Sequence, residues 1–272
     1  MELPNIGLGT YQLKPKPAYR SVRWALEIGY RHIDTAALYK NEKSVGQAIR
    51  DSGISRQEIF VTTKIPLKAM RQLKLAIENS LQQLDLDYID LMLLHCPDAE
   101  VSQTWETLSR LYCESYRNKL IRYIGVSNYQ EGHLKQLVNA PIQPYANQIE
   151  VSPFLPRTKL REYCQKNGIY VVAHSSLTKG IQLNNQQLLE IVTYYNDKFT
   201  NIGLLLKWAL QNNLKIIPRS TNREHIIANF NLLSELLSKQ MMQRLDKLDC
   251  GFATHPQHIG KHGVQSFSFV NI

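Results

Sequence analysis

The stretch Gly29-Tyr-Arg-His-Ile-Asp-Thr-Ala-Ala-Leu-Tyr-Lys-Asn-Glu42 decides how the rest of the chain is interpreted. Its first part is apolar enough for a short strand, which places Asp34 at the C-terminal tip. Tyr39 follows in a loop, and Asn41 and Glu42 are polar residues of the kind that cap and begin a helix. This one stretch therefore predicts a strand, a loop with acid–base side chains and a helix.

Two later apolar segments end in the same way, each on a polar side chain. One leads to Lys64 and the other to His95. If consecutive parallel strands lie side by side, Asp34, Lys64 and His95 meet at one rim, with Tyr39 above them. A carboxylate, an ammonium group, an imidazole and a phenol at adjacent strand ends are suited to acid–base chemistry.

Strand and helix patterns alternate along most of the chain. Apolar residues at spacings of three and four indicate helices, and short apolar segments without alternation indicate strands that are buried on both faces. Strands are predicted at residues 6–13, 30–34, 58–64, 88–94, 121–126, 145–149, 169–173 and 214–218. Eight strand–helix units predict an α/β fold, a (β/α)8 TIM barrel that occupies residues 1–272 as a single domain. Residues 232–248 predict an additional C-terminal helix, and residues 251–272 an arm over the barrel mouth.

Composition narrows the class of protein. Of the 272 residues 43% are hydrophobic, which suffices for a sizeable core, yet no apolar run approaches the roughly 18–20 residues of a membrane span. The N-terminus lacks the pattern of a signal peptide. The four cysteines are scattered, which favours reduced thiols in the cytoplasm and predicts no metal site. The net charge of +9 is not gathered into a long Lys/Arg run, so we expect no nucleic-acid partner, although it would attract an anionic cofactor.

Six short motifs follow one another along the chain. They are Asp34-Thr-Ala-x-x-Tyr-x-Asn-Glu42, Thr62-Thr-Lys64, Leu93-Leu-His-Cys-Pro97, Gly125-Val-Ser-Asn-Tyr129, Asn147-Gln-Ile-Glu-Val-Ser-Pro-Phe154 and Ile217-Pro-Arg-Ser-Thr221. In this order, and each at a predicted strand end, they make the chain resemble the aldo-keto reductases from Leu3 to about Phe252. The short loops after Lys64 and His95 are similar to those of the bacterial 2,5-diketo-gluconate and aldehyde reductases.

The resemblance implies a catalytic role for each of the four clustered side chains. Tyr39 is then the general acid that protonates a carbonyl oxygen, with Asp34, Lys64 and His95 as its catalytic partners. Because the ordinary pKa of tyrosine is near 10, we expect the Lys64 charge to lower it. His95 is expected to donate a hydrogen bond to the substrate oxygen. Taken singly, each of these residues is more often a helix cap, a packed loop residue or a strand end. The hypothesis of a catalytic site therefore depends on the presence of all four together.

The resemblance also implies a nicotinamide cofactor, although the sequence contains no Gly-x-Gly-x-x-Gly motif of a Rossmann site. The expected cofactor is NADP(H), with NAD(H) left open. Side chains that both donate and accept suit the carboxamide of nicotinamide, and a helix N-terminus suits a phosphate. The expected cofactor-binding residues are Ser127, Asn128, Gln148, His174, Ser175, Leu177, Arg219, Ser220, Thr221, His225 and Asn229.

Several positions depart from the pattern of the family. His174 replaces a tyrosine that stacks on the nicotinamide, so we expect a smaller contact area. His225 replaces an arginine near the 2′-phosphate, so we expect a moderate preference for NADPH over NADH. Cys96 replaces a bulky tryptophan and is assigned, with Tyr11, to an open and permissive substrate pocket.

Together these features predict a cytoplasmic, monomeric, NADPH-dependent reductase of small aldehydes or ketones, with no nucleic-acid or membrane partner. One alternative is a regulatory protein that binds the cofactor with little turnover, as in channel subunits on this fold. Another is a barrel enzyme that uses Lys64 to form a Schiff base, which the order of the motifs disfavours.

Overall fold

Eight parallel β-strands lie in one sheet, in the order in which they occur in the chain. The computed structural model of the protein describes residues 2–118, 120–195, 198–234 and 236–259. The strands are β1 (Leu8–Gly9), β2 (His32–Asp34), β3 (Phe60–Ile65), β4 (Ile89–Leu94), β5 (Ile121–Ser127), β6 (Ala146–Glu150), β7 (Tyr170–His174) and β8 (Lys215–Ile216). β3 and β4 are buried along their whole length, as parallel strands are when both faces of the sheet are covered.

The first and last strands also meet, so the sheet curls into a barrel. The amide of Gly7 donates to the carbonyl of Ile216 at 2.8 Å, and the amide of Ile216 donates to the carbonyl of Asn5 at 2.9 Å. A Cβ atom at Gly9 would lie 2.6 Å from the Ile217 carbonyl oxygen, so only glycine allows the two strands to approach this closely. Closure leaves no free sheet edge between β1 and β8.

Helices connect the strands and cover the outside of the sheet. They are α1 (Pro15–Ile28), α2 (Glu42–Asp51), α3 (Leu73–Leu84), α4 (Val101–Asn118), α5 (Glu131–Lys135), α6 (Thr158–Lys166), α7 (Gln186–Tyr194), α8 (Asn201–Gln211), α9 (Arg223–Phe230) and α10 (Lys239–Asp246). α1 begins with a proline, which is tolerated there because the first amides of a helix have no partner within it. In the part of the chain that the structure describes, no helix combines the length and apolar character of a membrane span.

The N-terminal residues close one end of the barrel. Leu3 is 2% exposed and packs with Phe60 and Leu91 inside the sheet. Its amide donates to the hydroxyl of Tyr145 at 3.4 Å, just before β6 begins. This end is therefore filled, and the opposite rim, formed by the C-terminal ends of the strands, is the mouth at which a site can form.

Two predicted elements have different bounds. β1 spans only Leu8–Gly9 instead of residues 6–13, because the chain turns away at Gln12, whose φ is +61°. The additional C-terminal helix predicted at 232–248 is present but shorter, as α10 spans only Lys239–Asp246. α10 begins at Lys239, where the Ser238 hydroxyl accepts the amide of Met241 at 3.2 Å and so caps the helix. Within the predicted arm at 251–272, the amides of Thr254 and His255 donate to Glu150 at the end of β6, and residues 260–272 lie outside the described residues.

Candidate active site

Lys64 is the centre of a buried polar cluster at the C-terminal end of β3. Its side chain is 0% exposed, and its ammonium group donates to Asp34 Oδ1 at 2.6 Å, to the Thr35 carbonyl at 2.8 Å and to the Tyr39 hydroxyl at 3.3 Å. All three ammonium hydrogens therefore have an acceptor. β2 and β3 are neighbours in the sheet, with Asp34 opposite Thr62, so the ion pair joins two adjacent strand ends.

Burial and charge have opposite effects on this ion pair. Burial raises the pKa of the Asp34 carboxyl, whereas Lys64 lowers it, as does a hydrogen bond from Gln148 Nε2 to Asp34 Oδ2 at 2.7 Å. Burial lowers the pKa of Lys64, and Asp34 raises it. A lysine with three acceptors and a carboxylate with two donors are best satisfied as a charged pair.

Tyr39 lies in a single turn of 3-10 helix, Ala37–Tyr39, directly after β2. Its ring meets the rings of Tyr11 and His95 edge to face, at centroid distances of 5.1 and 5.8 Å. Burial raises the pKa of Tyr39 well above 10, and Asp34 acts in the same direction. Tyr39 as a whole is only half-buried. The buried part is the hydroxyl, which points towards Lys64, and it is this group whose pKa is raised.

The expected lowering of the Tyr39 pKa is therefore wrong for the free protein. Burial removes water from the phenol, which disfavours the charged form. The Lys64 ammonium makes its shortest hydrogen bond to Asp34, at 2.6 Å, and a longer one to the Tyr39 hydroxyl, at 3.3 Å. Tyr39 consequently keeps its proton, which is the form that a proton donor requires. Lys64 remains close enough to stabilise a phenolate once the proton has left.

Asn41 holds the loop that carries Tyr39. Its side chain accepts from the Thr35 hydroxyl at 2.8 Å and donates to the carbonyls of Thr10 at 2.9 Å and Leu13 at 3.0 Å. The sequence assigned Asn41 to the cap of α2, but its side chain makes no capping bond. The donors and the acceptor of the Asn41 amide are already used by these groups, so Asn41 positions the loop that carries Tyr39 instead.

His95 follows β4 and is a neutral imidazole. Burial lowers its pKa to about 3, and the charge of Lys64 acts in the same direction. Its Nδ1 atom is buried without a hydrogen-bond partner among the described residues. A neutral imidazole has one donor and one acceptor nitrogen, so His95 can donate a hydrogen bond to an oxygen close to Tyr39.

The side chains assigned to the carboxamide form one hydrogen-bonded row across the ends of β5, β6 and β7. The Ser127 hydroxyl donates to the Gln148 carbonyl at 2.9 Å, and Asn128 Nδ2 donates to the Ser127 hydroxyl at 3.2 Å and to the His95 carbonyl at 3.0 Å. Asn128 Oδ1 lies 3.1 Å from Nε2 of His174. Because Gln148 also donates to the Asp34 carboxylate, the row is joined directly to the cluster around Lys64.

The loop after β7 continues from this row. Ser175 has a φ of +53°, and its hydroxyl lies 3.1 Å from Nδ1 of His174. Leu177 is partly buried against the core. The Lys179 ammonium lies 5.9 Å from the centre of the Tyr11 ring and adds a cation to the mouth that no sequence motif indicates.

The residues assigned to the 2′-phosphate lie at the start of α9. They are Arg219, Ser220, Thr221 and His225. The helix is capped by Asn222 Oδ1, which accepts the amide of His225 at 3.1 Å, and Asn229 is buried further along it. Arg219 is exposed and makes no ion pair with any described residue. An unpaired arginine beside a helix N-terminus is suited to a phosphate.

The two residues assigned to the substrate pocket differ in position. Tyr11 lies at the mouth, with its ring against Tyr39. Cys96 is 1% exposed within the core, and burial raises the pKa of its thiol to about 12. A side chain buried to this extent in the core leaves almost no surface for a substrate pocket.

Two histidines from the C-terminal segment complete the mouth, and the sequence did not indicate them. The His255 ring lies 6.2 Å from the Tyr11 ring and 6.1 Å from the His174 ring, and it stacks on His258 at 5.3 Å. Burial lowers the pKa of His255 and of His258 to about 4 in each case. Within the described ranges, no group of His, Cys, Asp and Glu side chains is arranged to hold a metal ion.

Comparisons of the sequence and of the fold with known proteins find similarity to reductases. The sequence profile described as the aldo/keto reductase family matches residues 5–249. Glyoxal reductase from Bacillus subtilis (strain 168) is 39% identical over 254 residues, which cover 92% of this chain and 90% of the relative. Glycerol 2-dehydrogenase (NADP(+)) from Saccharomyces cerevisiae is 36% identical over 262 residues, covering 84% and 82%. A solved aldo-keto reductase from a Medee basin deep-sea metagenome library superposes with a TM-score of 0.87 at 34% identity, covering 100% of this chain and 97% of that one.

Proposed function

Because the chain belongs to the aldo/keto reductase family, we propose that it is an NADPH-dependent reductase of small aldehydes and ketones. The observation that carries the proposal is the buried Lys64 ammonium, which donates to Asp34 and to the Tyr39 hydroxyl at the same time. Relatives named as a glyoxal reductase and as an NADP(+)-dependent glycerol dehydrogenase support carbonyl chemistry and this cofactor.

The residues at the mouth fit a nicotinamide dinucleotide. When bound, the reduced cofactor supplies the hydride. Ser127, Asn128 and Gln148 carry the kinds of donor and acceptor that a carboxamide needs, and they would exchange some of the hydrogen bonds that they now make to one another and to their neighbours for a bound carboxamide. His174 offers a flat ring beside them. Arg219, which has no ion pair among the described residues, would hold the 2′-phosphate that distinguishes NADPH from NADH.

Tyr39 transfers its phenolic proton to the carbonyl oxygen as that oxygen gains negative charge. The hydrogen bond from Lys64 then stabilises the phenolate, and Asp34 keeps the ammonium group charged and directed. The neutral His95 ring donates to the same substrate oxygen and fixes its orientation. These residues thus divide proton transfer, charge stabilisation and positioning among themselves.

A short carbonyl compound, such as a small dicarbonyl, is the proposed substrate. The relative named glyoxal reductase supports this class. The relatives cited above are named as enzymes, so they do not support a regulatory protein with little turnover. The monomeric state and the cytoplasmic location stay predictions.

The proposal is tested by following NADPH oxidation at 340 nm with a panel of aldehydes and dicarbonyls. Tyr39→Phe should lose about 10²- to 10⁴-fold in turnover while binding NADPH as tightly as the wild type. Tyr88→Phe is the matched control, because the Tyr88 hydroxyl donates to the Arg56 carbonyl at the opposite end of the barrel. Near wild-type turnover in Tyr39→Phe would contradict the role of Tyr39, and a wild type that oxidises no NADPH with any carbonyl would contradict the function.

A further inference from the structure

Residues 250–258, which we call the strap, cross the mouth and are attached near both ends. The amide of Phe252 donates to the carbonyl of Phe154 at 3.0 Å, just beyond β6. At the other end, the Gln130 side chain donates to the carbonyl of His258 at 2.6 Å, next to α5. The strap therefore spans the rim between the loops that follow β6 and β5.

A single carboxylate holds the middle of the strap. Glu150 is the last residue of β6 and is 3% exposed. Its Oε1 atom accepts the amide of Thr254 at 2.6 Å, and its Oε2 atom accepts the amide of His255 at 3.0 Å. Hydrogen bonds to an ionised acceptor are stronger than neutral ones. Burial lowers the pKa of Arg157 and of Lys179, and the Glu150 charge opposes this in both.

This contact determines where His255 lies. Its amide is bound by Glu150, and its ring then lies against His174 and Tyr11. His174 is the ring proposed to lie beside the nicotinamide, and Tyr11 lies against the proposed acid, Tyr39. A dinucleotide that enters or leaves on this side of the mouth must therefore pass the strap.

We propose that Glu150 is a positioning residue that latches the strap over the mouth and thereby limits how fast the dinucleotide leaves. The inference rests on the proposed function, which supplies the occupant of the mouth. Opening of the strap breaks both hydrogen bonds from its backbone amides to Glu150. A weaker acceptor at residue 150 therefore makes opening more frequent. Glu150→Gln removes the charge and turns an amide NH2 towards one strap amide, and Glu150→Ala removes both acceptors. We expect NADPH release to become about tenfold faster or more in both variants.

Stopped-flow fluorescence measures the release directly, as bound NADPH is displaced by excess NADP+. Glu131→Gln is the matched control, since the Glu131 carboxylate pairs with Lys135 at 2.7 Å on the exposed face of α5, and its release rate should equal that of the wild type. His255→Ala should also speed release, and the double variant with Glu150→Gln should be no faster than the faster single variant, because both changes remove the same closure. Faster release in the Glu150 variants but not in the control supports the latch.

Two outcomes separate the latch from a purely structural role and from the proposed function. A Glu150 variant that melts earlier but releases NADPH at the wild-type rate would overturn the latch alone. A wild type that binds no NADPH would overturn both proposals. Hydrogen–deuterium exchange on the wild type needs no variant to fold. Exchange at the strap amides of Thr254 and His255 should slow when NADPH binds, and equal exchange with and without NADPH would contradict closure.

Discussion

Replacing Asp34 with asparagine keeps the shape of the side chain but removes the charge that balances Lys64. Lys64 is 0% exposed, and Asp34 is its anionic hydrogen-bond partner at 2.6 Å. The remaining acceptors, the Thr35 carbonyl and the Tyr39 hydroxyl, are neutral. Asp34→Asn therefore leaves a buried ammonium group without a hydrogen-bonded counter-charge.

The expected loss of stability follows from the burial of the Asp34–Lys64 ion pair. Breaking a buried ion pair by removing one partner costs about 3–5 kcal/mol of unfolding free energy, whereas an exposed pair contributes about 0–1 kcal/mol. Asp85→Asn is the matched control, because Asp85 pairs with Arg50 at 3.2 Å while 74% of its side chain is exposed. The chemical change is the same in both variants, so the difference between them measures the effect of burial.

The pH dependence of the stability of Asp34→Asn gives a second test of the buried ion pair. Burial lowers the pKa of Lys64, and Asp34 opposes this. Without Asp34, the folded variant holds the Lys64 proton less firmly than the unfolded chain does. Its stability should therefore rise with pH towards the ordinary lysine pKa near 10.4, by up to about 1.4 kcal/mol per pH unit. The wild type should have a shallower slope over the same range.

Urea unfolding between about pH 6.5 and 9.5, followed by circular dichroism, measures both signatures, and NADPH oxidation reports activity. The double variant Asp34→Asn, Lys64→Met removes both charges and should recover much of the lost stability while remaining inactive. If Asp34→Asn unfolds like Asp85→Asn, with no change in pH slope, Lys64 is not held as a buried charge by Asp34. The proposed role of the pair would then be wrong.

Three further predictions concern the cofactor and the barrel interior. Arg219→Ala should weaken NADPH binding about tenfold or more and leave NADH binding nearly unchanged by calorimetry, and Arg20→Ala on α1 should affect neither. His225→Arg should tighten NADPH binding, because a guanidinium carries a permanent charge and a fork of donors suited to a phosphate. NADH binding should not respond, and unchanged NADPH binding would show that residue 225 does not meet the phosphate. Burial lowers the pKa of His32 to about 3, so the folded chain takes up this proton later than the unfolded chain as pH falls below about 6.5. In His32→Gln the side-chain amide can still reach Thr62. Urea titrations should show that between about pH 7 and 5 the free energy of unfolding of this variant falls by about 2 kcal/mol less than that of the wild type. An equal fall in both proteins would contradict this reasoning.

The order of strands and helices, and the side chains at the strand ends, could be predicted from the sequence alone. Apolar periodicity and turn residues are local properties, so they indicate each element without knowledge of its neighbours. Asp34, Lys64 and His95 each follow an apolar segment, and parallel strands bring such ends to the same rim. For this reason the sequence alone predicts the cluster around Lys64.

Other features depended on which atoms the closed barrel brings together. Glu150 and Thr254 are 104 residues apart, and no local pattern marks either as a contact of the mouth. Asn41 has the composition of a cap, but the carbonyls of Thr10 and Leu13 occupy its donors. Cys96 adjoins His95 in sequence yet is buried in the core, whereas His95 stays partly exposed just beyond the end of β4.

The protonation of Tyr39 was likewise decided by the tertiary structure. The sequence places a lysine near the phenol and so predicts a lowered pKa, but it contains no information on how much water the folded chain removes from the hydroxyl. In the structure burial raises the pKa of Tyr39, and the Asp34 charge acts in the same direction. Lys64 makes its closest contact with Asp34, at 2.6 Å against 3.3 Å to the Tyr39 hydroxyl. Residue order therefore determined which groups meet at the mouth. Burial and hydrogen-bond partners, which exist only in the closed barrel, determined which of those groups are charged and which carry a proton.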